Sequence, residues 1–386
     1  MRAMLTESSG QTRTARAAPR SGGYRAVRAL LAGLAPALLS ACGTLYLAQA
    51  AHGEWQIVRD RRPIAAVMAD ARTPPELRSR LAAVREARDF ASQKLALPDN
   101  KSYRSYADLK RAFVVWNVVA APEFSVEPMR WCFPIAGCVA YRGYFAEGNA
   151  EAFGARLRAR GFDVAVEGVP AYSTLGHFAD PVLNTMLAYG DNELAAIIFH
   201  ELAHQLIYVA GDSEFNEAFA VTVEETGLAR WLEYTGRTAA LNDYRRERMR
   251  DRAFNTLFAS RRAELARLYG SKLSPALMRE RKRMQFAALA DEMRDLERRQ
   301  GVHSGYENWI AAGLNNAYLA SVATYFDCVP GFERLLAEVD GDLPRFYAAV
   351  RALAREPRRQ RHQRLCTGSA QGNQQARLAA PHLNHE

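Results

Sequence analysis

Residues 191–227 read DNELAAIIFHELAHQLIYVAGDSEFNEAFAVTVEETG, and the rest of the chain is best read outward from them. LAAIIF before HELAH and LIYVA after it are apolar and free of Pro and Gly. This predicts a buried helix with Asp191 or Asn192 at its start and Gly211 at its end. Positions four apart share a helix face, so His200 and His204 offer their imidazoles to one point, with Glu201 about 100° round the helix. Polar groups inside an apolar helix are costly unless paired, and a metal ion would partner both histidines.

A catalytic zinc takes three protein ligands and keeps a fourth position for water. Glu217 is the candidate third ligand. The turn AGDSEF (210–215) lets a second helix begin near Ser213 and carry NEAFAVTVEETG back across the first. Glu224, seven residues further and on the same side of that helix, is either the competing ligand or the partner of a histidine ring nitrogen.

HELAHQ (200–205), NEAFA (216–220) and VE (223–224) together resemble the HELAHQ…NEGFA..VE pattern of the gluzincin aminopeptidases. The resemblance implies that His200, His204 and Glu217 bind Zn2+ and that Glu201 is the general base. The interval between His204 and Glu217 is several residues shorter than in those enzymes. No segment resembles the GAMEN element by which they hold a substrate's free amino terminus. A longer likeness, to a bacterial lipoprotein family described as zinc-dependent aminopeptidases, runs through WCFPIAGCVAYRGYF (131–145), AYSTLGHFADPVLNTML (171–187), the HELAHQ region and NNAYLASVATYFDCVPGF (315–332). It implies an α+β, zincin-like peptidase domain, mostly helical, with a small sheet ahead of the HExxH helix. Its edge strand, VAYRGYF or VPAYSTLG, would bind the substrate backbone. Gluzincins also use a Tyr hydroxyl against the oxyanion; in the segment that resembles the family, Tyr325 is the candidate.

The remaining stretches frame this domain. Residues 24–42, YRAVRALLAGLAPALLSAC, have a basic start, a short broken apolar run and a small-residue end, the pattern of a signal peptide. LSAC resembles a lipobox, implying removal of residues 1–41, a lipid on Cys42 and attachment to a membrane. Gly43, in place of Asp, implies the outer membrane of a Gram-negative cell envelope, facing the periplasm. The formal charge of +9 falls to +4 beyond Cys42, and nothing in the sequence argues for nucleic acid. In an oxidising compartment Cys132 and Cys138 are expected to pair, while Cys328 and Cys366 either form a second bridge or stay free.

RTPPELRSRLAAVREARDFASQKL (72–95) has helical periodicity, as does most of 52–110. RAFVVWNVVAAPEFSVEPMRWCFP (111–134), GCVAYRGYF and DVAVEGV (163–169) read as strands around the helical NAEAFGARLRARGF (149–162). The domain is thus expected over 42–355, with a charged helical hairpin at 241–299 whose RRERMRDR and RERKRMQF runs form solvated faces. Residues 356–386, poor in large apolar side chains, are expected to be disordered. The function expected is peptide hydrolysis by an aminopeptidase; the alternatives are a zinc endopeptidase and a non-enzymatic envelope lipoprotein whose zinc is structural or vestigial. For an aminopeptidase, Glu193, Asp180, Asp191 and Glu224 are the carboxylates to consider for the substrate amine.

Overall fold

The structure, a computed structural model, describes residues 46–133, 136–301 and 305–366. Residues 46–52 are helical and belong to a separate short unit, the compact body beginning at Gly53. The expected signal peptide, Cys42 and the end of the tail lie outside the described residues. Helices dominate the body and its three sheets are small, which makes the fold α+β.

After a first helix ending at residue 60 (α1) come β1 (Arg62–Pro63), α2 (Ile64–Ala69) and α3 (Pro75–Lys94). Pro75 stands at N1 of α3, where its missing N–H costs nothing. The strands β2 (Ser105–Ala107) to β8 (Val182–Leu183) follow. The sheet that matters most joins β6 (Tyr141–Tyr144), β3 (Val115–Pro122) and β7 (Phe162–Val169), in that order and antiparallel throughout. Alternation gives it two faces. Val164 and Val166 meet Gly154 of α4 (Glu147–Ala159). Val119 and Ala165, on the other face, pack with Ala317 and Tyr318 of α10 (Asn316–Phe326). VAYRGYF thus supplies the outer strand β6, whereas VPAYSTLG leaves the sheet after Val169 and runs irregularly.

The principal core gathers around α5 (Asp191–Leu206) and α6 (Ser213–Tyr234). It takes Leu81, Phe90 and Leu95 from one side and Phe332, Phe346 and Tyr347 from the other. The charged segment folds as the expected hairpin, α7 (Thr238–Tyr269) and α8 (Pro275–Gln300), over a core of Phe254, Phe258, Phe286, Leu289 and Met293. Several arginines of its exterior face acids: Arg261 pairs with Glu264 and Glu292, and Arg248 with Glu225. This is a solvated, internally paired surface. Among the described residues no helix is long and apolar enough to cross a membrane.

Three expectations need correction. The HELAH helix stops at Leu206, not near Gly211: Ile207 is already extended at φ −144°. Its N-cap is Gly190, with no capping side chain. The tail is ordered as far as Cys366, because α13 (Arg358–Leu365) buries Arg361 and Leu365 and Cys366 is bonded to Cys328. Cys132 and Cys138 form the other disulfide, across the hairpin of β4 (Trp131–Phe133) and β5 (Gly137–Val139).

Candidate active site

Leu194, Ile198, Phe199 and Leu202 bury one side of α5, while His200 and Glu201 stay half-buried. The short turn 207–212 then reverses the chain. Asn216 closes it: its Oδ1 accepts from Val209 N–H and its Nδ2 donates to Val209 O, both at 2.8 Å. Both of Val209's backbone groups are thereby satisfied by one side chain of the following helix. Gly211, at φ +82°, makes the bend that L side chains resist. The disulfide hairpin packs against this bend, since a Cβ on Gly137 would overlap Gly211 N. Arg130 joins the two, reaching Gly211 O at 3.4 Å and Glu214 at 2.6 Å.

The next residue along the fixed helix, Glu217, lies against both histidines. Its Oε2 is 3.3 Å from His200 Nε2 and 3.4 Å from His204 Nε2, and the two Nε2 atoms are 3.1 Å apart. Tetrahedral zinc with ligands at 2.0–2.2 Å has donor-to-donor edges of about 3.3 Å. The three edges here match that figure, so the residues fit the metal. Glu224 Oε2 sits 2.9 Å from His200 Nδ1. It accepts the Nδ1 proton, leaving the Nε2 lone pair for the convergence point, the role of a carboxylate behind a ligating histidine. Of the two places considered for Glu224, it is found against the histidine ring nitrogen.

The electrostatics fit a cation equally well. Burial by itself would raise the Glu217 carboxyl, but the two histidines hold it at about 2. Burial would lower His200, and the carboxylates of Glu217 and Glu224 override it, raising the imidazole well above its usual value. The site therefore draws positive charge from whatever source is present. His204 Nδ1 has no hydrogen-bond partner among the described residues, so that ring is oriented by packing.

Glu201 is raised above the ordinary carboxyl range, first by burial and then by Glu217 and Asp180 against the pull of the histidines. Tyr325 reaches the same place from α10, which crosses α6. Glu217 first, and burial second, push its phenol well up, so it stays a proton donor. Asp180 is buried and takes hydrogen bonds from Ser173, Thr174 and Gln205, and Asp191 pairs with Arg80. Glu193 is exposed in the first turn of α5. With Glu224 on His200, none of the four carboxylates considered for a substrate amine is placed for that task. Among the described residues two other groups hold metal-ligating atoms, Asp212 with Glu214 and His362, and Cys328 with His362 and Cys366. Neither fits a metal, because arginines occupy Asp212 and Glu214 and the two cysteines are bonded to each other.

Two histidines and a carboxylate on a packed helix pair, inside an α+β fold, define a candidate metal-binding protein. The chain belongs to the family described as "Putative aminopeptidase", whose family model spans residues 45–365. No curated protein and no solved structure matches it significantly. Sequence reading missed Asn216, although it stands inside NEAFA, because a turn clamp leaves no spacing signature.

Proposed function

We propose that the chain is a zinc-dependent aminopeptidase with a zincin-like domain, using His200, His204 and Glu217 as ligands and Glu201 as base. The observation carrying this reading is the convergence of three donor atoms, with Glu201 next to His200 on α5 and within reach of the charges of all three groups. Bound zinc would supply Lewis acidity toward a peptide carbonyl and toward water. Glu201, one residue from a ligand and with a raised carboxyl, takes a proton from the attacking water and delivers it to the leaving amine. Tyr325 donates from its phenol to the carbonyl oxygen as negative charge gathers there. Glu224 keeps His200 in one tautomer and one orientation. The substrate class is peptides, as the family description implies.

Glu201→Gln tests this directly, since the amide keeps the shape and removes the base. Zinc content should stay at the wild-type level while kcat on a peptide library falls by roughly a hundredfold to ten-thousandfold. Equal inactivity of wild type and variant, both loaded with zinc, would turn the reading toward a non-enzymatic zinc protein.

A further inference from the structure

An aminopeptidase must hold an ammonium group one residue away from the bond it cleaves. Taking that charge out of water requires a carboxylate not already paired with a cation or a histidine and not enclosed by several donors. Glu217 and Glu224 are engaged with the histidines, and Asp180 is enclosed by its own donors.

Glu167 differs from all of these. In the β6–β3–β7 sheet Asn117 is paired with Gly143 on one side and Glu167 on the other, so the three residues share one face. The adjacent row, Tyr141, Val119 and Ala165, packs against Tyr318 of α10, so Glu167 lies on the α10 side. Tyr325 follows Tyr318 by two helical turns along the same stripe of α10. The helix itself bridges the two places, since α10 packs on α6 and on strands β3 and β7, and the Tyr325 phenol is raised by Glu217 first, then by burial, Tyr141, Glu201 and Glu167. Gly143 makes room in this row for its neighbours' side chains: a Cβ there would come within 2.9 Å of Val115 and 3.3 Å of Asn117 Oδ1.

Among the described residues the surroundings of Glu167 are aromatic, and no cation acts on its carboxyl. Burial raises its carboxyl, and the only opposing influence is a hydrogen bond with Trp309. The Trp309 ring packs at a tilt, 4.9 Å from Tyr306 and 5.0 Å from Tyr318, both of which feel the Glu167 charge. A half-buried carboxylate with aromatic walls, on which no Lys, Arg or His acts among the described residues, is a receptor for a primary ammonium, which the ring faces attract as well.

We propose that Glu167, with Trp309 beside it, binds the free α-amino group of the substrate and makes the enzyme an exopeptidase. The inference rests on the peptidase reading above. It replaces the missing GAMEN-like element with a carboxylate on the sheet.

The test uses zinc-loaded protein and has two arms. In the first, Glu201→Gln protein with and without Glu167→Gln is titrated by calorimetry with leucinamide and with N-acetyl-leucinamide. Glu167→Gln should weaken leucinamide by roughly tenfold to a hundredfold, the size of a lost charged hydrogen bond, and leave the acetylated compound alone. Equal affinity for leucinamide in both proteins overturns the proposal. In the second, wild type and Glu167→Gln are given one peptide in free and N-acetylated forms. Selective loss on the free form supports the proposal, and cleavage of both forms at the same internal bond by wild type overturns it. If wild type cleaves neither, the peptidase reading fails and the binding arm still decides the role of Glu167. Should Glu167→Gln not fold, Glu167→Asp, which draws the charge back by one methylene, must weaken leucinamide selectively.

Discussion

Glu217 and Glu224 differ in what they touch, and the difference is measurable. Glu217 faces two imidazole nitrogens at the convergence point, whereas Glu224 touches only the far nitrogen of one ring. Glu217→Ala therefore removes a ligand, and zinc should be lost on dialysis to well below one per chain. Glu224→Gln keeps three ligands and loses only the charged acceptor behind His200, so zinc affinity should fall about 10–100-fold with stoichiometry retained. Metal-to-protein ratios after dialysis decide the matter, and the reverse order would mean that α6 is set in the wrong register. This set of residues was legible in the sequence because the helical period forces His200 and His204 together and NEAFA marks the next helix. Asn216 and Glu167 were not legible. The first acts through a turn whose geometry no periodicity encodes, and the second acquires its neighbours only when β3 and β7 are aligned and α10 is laid over them.

Among the elements, the start of α6 is held in place by distant parts of the chain, and α13 is the chief of these. Asp212, 1% exposed, faces Arg361, His362 and Arg358 of α13 at 2.6, 2.7 and 3.5 Å, with Glu214 of α6 held by Arg130 and Arg358 nearby. Burial would raise the Asp212 carboxyl, but His362 and Arg361 hold it at about 2. A folded value below the unfolded one stabilises the protein fully above the unfolded carboxyl pKa, and that stability is lost as pH falls through the folded value. The shift corresponds to roughly 2 kcal/mol. Asp212→Asn also strands the buried Arg361 and should cost about 3–5 kcal/mol at pH 6. Urea unfolding at pH 6 and at pH 3 checks this: the gap between wild type and variant should narrow at the lower pH, and an unchanged gap would remove the ion pair as its cause. The same element shows why composition misled. Arg358–Leu365 carries a single large apolar residue, and its order comes from ion pairs and the Cys328–Cys366 bond, neither of which composition reveals. The overlong HELAH helix has a related cause, since LIYV is apolar enough to continue but Val209 gives its backbone groups to Asn216. The strands 115–122 and 162–169 were readable because alternating side chains serve two different helical layers.

At the scale of the whole molecule the open matter is where the body works. Its net charge beyond Cys42 is a modest +4, and basic residues of the α7–α8 hairpin are paired with acids, so a surface held to anionic lipid by charge alone has little support. Among the described residues no helix is able to span a bilayer. Attachment would then depend on LSAC, residues 39–42, and we propose that Cys42 carries the lipid and that Gly43 leaves the protein free to reach the outer membrane. Each methylene buried in the bilayer contributes about 0.8 kcal/mol, so a diacylated and further acylated Cys holds firmly where a single chain would not. Residues 43–52 separate that Cys from the compact body at Gly53. The expected outcome is wild-type protein in the outer-membrane fraction, extracted by detergent and not by high salt, and Cys42→Ala protein absent from that fraction with its precursor unprocessed. Wild type recovered only in the salt-washed periplasmic fraction would show that residues 1–41 serve export alone and that the body acts without an anchor.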